Sequence, residues 1–368
     1  MMRRMKELEK LLNSIDYGQL WDGFSKNKYS IYNSNNFYLN DDKGLGLDLI
    51  KEDSYFVGKV DKRFIGNTAI SINNNYIAIW NEDTIPKDID NAKLASLIVH
   101  EMFHCFQLAN GEKRFPNELL GLDYPITIEN INLRTSERQY LLDASIENDK
   151  EKKMELLTSY FSIRNKREKL IGSIIEYEKA IESVEGTAVY VEYKAFTQLA
   201  TNKQSTILKE YIKGFTDINE KNLRIRHSTY NQGLLLGLIA DEYILNWKSK
   251  LNNSELFLSD FIYNELEIEE VNIEDDNENL AAVEQCVINW ERQRDMVFDE
   301  FEERTRLNVL EENFQVTGFD PMNIVKRNQE IIHRNFLRVK IGENEQVITG
   351  PVKATIGDNI FDVKRIEW

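Results

Sequence analysis

Two hydrophobic rhythms alternate along the chain. Between residues 28 and 80, the stretches IYNSNNFYLN, SYFVGKV and NTAISINNNYIAIWN carry Tyr, Ile, Val and Phe, punctuated by Asn and Gly. That pattern predicts short strands, with a hairpin turn at the Asn cluster 73 to 75. From Asp90 onward the rhythm becomes helical. LIVHEMFHCFQ places apolar residues at 97, 98, 99, 102, 103 and 106. It predicts a helix capped by Asp90, running to about Ala109 and stopped by Asn110-Gly111. Long helical stretches are expected over about 136–164, 166–201, 204–213, 228–248 and 280–306, and an amphipathic helix over 1–18. The acidic segment 266–280 reads as a solvated loop leading into a helix. From residue 313 the chain alternates again, with Gly-containing turns, which predicts a small antiparallel sheet.

These elements define an α+β fold, predominantly helical, with a small mixed sheet packed on the 90–109 helix. Three regions are expected: an N-terminal helix-and-sheet lobe over 1–90, a helical lobe over 91–310 that joins it in one domain, and a C-terminal β module over 311–368.

Composition narrows the function. At 368 residues, 42% hydrophobic and 29% charged, the chain can bury a sizeable core and is not a disordered sequence. Its net charge of -16 argues against nucleic acid and anionic membrane surfaces as partners. Two cysteines do not make a disulfide framework, and Cys105 reads as a small buried hydrophobe although it adjoins His104. The N-terminus has no apolar core of a secretion signal, and no run of about 18 apolar residues exists. A reducing cytoplasm is the expected location, and no feature of the sequence specifies an oligomeric state.

The chemistry concentrates in His100, Glu101 and His104, which read H-E-x-x-H. Two histidines four apart on a helix share one face, so both imidazoles reach one ion, and Glu101 lies beside them where it can take a proton from a water. Only four histidines occur, and two fall in this motif. A catalytic zinc needs a third protein ligand. Residues 105 to 111 read CFQLANG, so no third histidine follows at close spacing. A carboxylate from EYEKAIESVEGTAVYVEYKAF is expected instead, where Glu182, Glu185 and Glu192 share a helix face. Gly186 and Ala188 beside Glu185 are small enough to let that helix approach the histidine helix closely.

H-E-M-F-H followed, after a long helical insert, by E-S-V-E-G-T-A resembles the gluzincin-type zinc metallopeptidases, and more narrowly bacterial zincin-like proteins with an E-G-x-A ligand helix. The resemblance spans roughly residues 65 to 245. It implies a zincin-like catalytic domain and one Zn2+ per chain. His100, His104 and Glu185 would be the ligands, with Glu182 as the alternative, and Glu101 the general base. A peptide or protein would be the substrate. The thermolysin-like E-x-x-x-D pattern is broken by Val189, so Glu192 or Asp241 is expected to supply the supporting carboxylate. Zincins also place a Tyr or His where the oxyanion develops, and Tyr230 and His227 in RIRHSTYNQGLLLG are candidates. NTAIS or YIAIWN would pair with an extended substrate. His333 reads as structural or exposed. The competing classes are a non-catalytic, regulatory metal-binding module on the same scaffold, and a zinc hydrolase of a non-peptide amide.

Overall fold

The structure, a computed structural model, describes every residue except 1, 202–203, 275–276, 306–307, 312–313, 321–322 and 358–361. Residues 275 and 276 of the acidic segment, and residues 306 and 313 at the edges of the expected final helix and sheet, therefore lie outside the described residues.

The fold is α+β, and about half of it is helical. The N-terminal region holds α1 (Met2–Asn13), α2 (Tyr17–Leu20) and six strands: β1 (Tyr29–Tyr32), β2 (Asn36–Leu39), β3 (Ile50–Glu52), β4 (Tyr55–Lys59), β5 (Thr68–Ile72) and β6 (Asn75–Asn81). The strands form one mixed sheet in the order β3-β4-β2-β1-β6-β5, with only β1 and β6 parallel. The β5–β6 hairpin turns on Asn73 and Asn74, both at positive φ, as the Asn cluster predicts.

The helical region follows: α3 (Asn91–Ala109), α4 (Glu118–Leu122), α5 (Ile128–Ile146), α6 (Lys150–Ile171), α7 (Ile175–Ile181), a π-helical turn (Glu182–Gly186), α8 (Thr187–Leu199), α9 (Gln204–Tyr211), α10 (Ile225–Tyr243), α11 (Trp247–Asn252), α12 (Leu258–Glu265) and α13 (Leu280–Glu302). The expected 136–164 and 166–201 helices are divided elsewhere. Asp149 caps α6 by accepting from Lys152 N at 3.0 Å, so the break falls at 147–149, where the pattern alone shows none. Gly172, at φ +61°, ends α6 instead of residue 165. The C-terminal region holds β7 (Val309–Glu311), β8 (Phe314–Phe319), β9 (Ile324–Arg327), β10 (Glu330–His333), β11 (Phe336–Ile341), β12 (Asn344–Thr349), β13 (Val352–Ile356) and β14 (Val363–Glu367). They form two antiparallel sheets, β7-β14-β13-β10-β9 and β12-β11-β8.

One large apolar core joins α1, β1, α3, α8 and α10 through residues such as Leu8, Ile31, Val99, Tyr190 and Leu235. Helix α3 lies against β5 and β6 on one side and α8 on another, which buries it on most faces. The C-terminal strands keep their own core of Val316, Leu337, Val339, Ile348, Val352 and Ile366. They meet the helices where Leu119 and Leu122 of α4 pack on Ile331 and Ile356, and where Phe298 and Phe301 of α13 pack on Ile332. His333 is buried in β10 beside Phe319, the structural alternative of the two expected. Cys105 and Cys286 are buried free thiols. Among the described residues no helix is long and apolar enough to cross a membrane.

Candidate metal centre

Helix α3 presents the histidines because both of its ends and most of its sides are fixed. Asp90 accepts from Ala92 N at 2.9 Å, and Gly111 follows the helix at φ +72°. Leu94, Ile98, Val99, Met102 and Phe103 are buried, which holds His100 and His104 on the one polar stripe.

The two Nε2 atoms of His100 and His104 stand 3.1 Å apart. Glu185 Oε2 lies 3.6 Å from the first and 3.4 Å from the second. His100, His104 and Glu185 thus offer three ligand atoms within 4.8 Å of one another. The outward nitrogens decide what the inner ones can be. His100 Nδ1 faces Glu192 Oε2 at 3.1 Å, and a carboxylate only accepts, so Nδ1 carries the hydrogen. His104 Nδ1 faces Gln107 Oε1 at 2.7 Å. Gln107 is oriented by its own amide, which donates to Val184 O at 2.9 Å and to Thr187 Oγ1 at 3.1 Å. Its oxygen must therefore point at His104. In neutral imidazoles so oriented, the two inner nitrogens would present lone pairs to the same point as the carboxylate oxygen. A cation, or protons on the imidazoles, would balance the carboxylates there, and N, N, O donors at this separation suit zinc.

The outer shell is equally determined. Lys93 Nζ and Tyr211 OH both donate to Glu192 Oε1, at 2.6 and 2.7 Å. Arg226 Nη2 donates to Glu185 Oε1 at 2.8 Å and leaves Oε2 for the histidines. Arg226 is itself paired with Glu118, which accepts from Tyr177 OH at 2.9 Å. Burial alone lowers the His100 imidazole, but hydrogen bonds to Glu185 and Glu192 reverse this and hold it up to about 10. Burial raises Glu185, yet its bonds to the two imidazoles bring it well below the usual carboxylate range. Glu101, on α3 between the histidines, is buried and its carboxyl is raised above the ordinary range chiefly by desolvation. The carboxylates around the histidines thus favour positive charge there, whether a proton on His100 or a cation.

Several sequence expectations change. Glu182 is not at the centre: it is fully buried against Arg164, with Nη2 to Oε1 at 2.6 Å. The reason is the π-helical turn, whose wider winding rotates Glu182 away from Glu185 although an ordinary helix would align them. Of the two carboxylates considered for support, Glu192 reaches His100, whereas Asp241 accepts from Tyr190 OH at 2.8 Å and Trp247 Nε1 at 2.9 Å, away from the histidines. Strand β6 is paired on both edges, by β1 and β5, so YIAIWN has no edge for a substrate; among the described residues β5, holding TAIS, ends the sheet. Tyr230 interacts with Glu185 and Arg226, and burial raises its hydroxyl. His227 lies further out at the start of α10, its ring 5.8 Å from that of Tyr230, lowered by burial and by Arg226 and Arg224.

Gly186 does permit a close approach, but to α10 and not to the histidine helix. A Cβ on Gly233 would sit 2.5 Å from both Glu182 O and Gly186 Cα. Gly233→Ala should therefore destabilise the fold by about 1–3 kcal/mol, measured by chemical denaturation, and weaken zinc uptake by displacing the turn that carries Glu185. Gln107, Lys93, Tyr211 and Glu118 are the residues that sequence reasoning does not single out. Gln107, three residues past His104, and Lys93, seven before His100, are the ones whose spacing on the same helix face offers a signal.

No protein-family model matches this sequence, and no curated protein or solved structure matches it either.

Proposed function

We propose that this protein is a zinc-dependent metallopeptidase of the gluzincin type, with His100, His104 and Glu185 as ligands and Glu101 as general base. The observation that carries the reading is the pair of Nε2 atoms 3.1 Å apart, closed by Glu185 Oε2. One zinc ion held there would act as a Lewis acid on a scissile carbonyl and acidify a water. Glu101 accepts the proton of the attacking water and returns it to the leaving amine. Its raised affinity for protons, a product of burial, suits both steps. Tyr230, beside Glu185, donates to the oxygen that gains charge; His227 is the alternative donor from the rim. Strand β5 aligns an extended peptide along its free edge. A reducing cytoplasm remains the proposed setting, in keeping with two buried, unpaired thiols.

Exposure of the zinc-loaded protein to a mixed peptide library, read by mass spectrometry, is the test. Cleavage that stops on chelation and returns with zinc is expected. A zinc-loaded protein that cleaves no peptide would favour the regulatory module, and activity confined to small amides the non-peptide hydrolase.

A further inference from the structure

A second feature adjoins the centre. A cleft of about 530 Å³ opens between α4, the start of α10, α13 and the C-terminal strands. Its walls carry Arg224, Arg226, Arg294, Lys326 and Arg334, against only Glu118 and Glu291. Five cations facing two carboxylates stand out in a chain of net charge -16. Three of the cations are already engaged, Arg226 by Glu118 and Glu185, Lys326 by Asp123, and Arg294 by Asp295 at 3.5 Å. The others are not neutralised in the same way. Neither Arg224 nor Arg334 meets a carboxylate among the described residues. The start of α10 adds to this field, since no side chain caps it at Arg224 and the positive end of its dipole opens on the same space. Like charges gathered in a concave site repel one another until an anion arrives, and guanidinium forks match a carboxylate bidentately. The cleft is also joined to the chemistry: Arg226 lines it and holds Glu185.

We propose that this cleft binds a carboxylate group of the peptide substrate, and that the C-terminal β module, through Lys326 and Arg334, supplies one of its walls. The inference rests on the peptidase reading for the identity of the ligand as a peptide. The carboxylate comes either from an Asp or Glu side chain or from the chain end, and both are recognised by the same charge and geometry. The module then determines selectivity and is not a passive appendage.

Binding without turnover tests this. The full-length Glu101→Gln protein, with and without zinc, is titrated with fluorescent peptides in which Asp and Glu are exchanged for Asn and Gln, each with a free or an amidated C-terminus. Carboxylate-bearing peptides should bind about tenfold more tightly than their amide counterparts. In the Arg224→Gln/Arg334→Gln double variant, whose two side chains are exposed, that ratio should fall to near one while zinc uptake is unchanged. Loss of preference on side-chain exchange identifies an acidic residue as the source; loss on amidation identifies the chain end. Equal affinity for all peptides, binding of none, or a preference that survives the double variant would overturn the proposal. Zinc content and library cleavage of the wild-type protein report separately on the peptidase reading: a protein that cleaves nothing but keeps the carboxylate preference loses that reading alone.

Discussion

Glu101→Gln should leave zinc bound and lower peptide hydrolysis by roughly 10²–10⁴-fold, the contribution expected of a general base. Gln keeps the size of the side chain, so its buried place on α3 is preserved. The proposed ligand set of His100, His104 and Glu185 does not include residue 101, so metal uptake should persist. What disappears is the group that accepts a proton from the attacking water. The expected pattern is therefore an unchanged zinc stoichiometry with a fall in kcat. Full activity in the variant would assign the base to another residue.

The largest effect on stability is expected far from any substrate. Arg167 and Arg164 are essentially inaccessible and bind Glu137, Glu178 and Glu182 in one buried network. Arg167 Nη1 donates to Glu137 Oε2 at 2.5 Å, its Nη2 to Tyr124 OH at 2.6 Å and its Nε to Asn130 Oδ1 at 3.1 Å. Arg134 Nε completes the shell of Glu178 at 3.0 Å. Arg167→Met fills the volume but strands the carboxylates of Glu137 and Glu178 with less compensation. Breaking a buried pair from one side costs about 3–5 kcal/mol, to be read from urea denaturation. A loss under 1 kcal/mol would mean that the network relaxes onto water. The same residues make the fold acid-sensitive. Burial raises Glu137 and Glu178, but the arginines reverse this and hold both below the usual carboxylate range. Their stabilisation is complete above the ordinary glutamate value of about 4.3 and is lost as pH falls through the lowered ones. The network matters to the centre because Glu182, at the start of the π-helical turn, anchors the segment that ends in Glu185 and Gly186.

Much of this was legible because local rules sufficed. The cap Asp90, the apolar positions of LIVHEMFHCFQ and the Asn110-Gly111 stop define α3 to within a residue, and the Asn cluster defines the β5–β6 hairpin. His100 and His104 follow from helical spacing alone. Glu185 was one of three glutamates on a nominal face, and the π-helical turn that separates it from Glu182 leaves no mark in the sequence beyond Gly186. Gly186 signals close packing but not its partner, because the matching Gly233 lies 47 residues on in another helix. Arg134, Arg164 and Arg167 are not singled out by the sequence and are buried because their carboxylate partners come from α5, α7 and the π-helical turn. Pairings of that kind are set by tertiary packing, which periodicity does not encode.

The central claim is that the two histidines and Glu185 hold zinc. Metal-stripped protein titrated with zinc against a competing chelator tests it most directly. The wild type should take up one zinc per chain, His100→Ala should abolish uptake, and Glu192→Gln, which removes the carboxylate shared by His100, Lys93 and Tyr211, should weaken it by about 10–100-fold. A wild-type chain that takes up no zinc, or a His100→Ala variant that binds it as tightly as the wild type, would contradict the account.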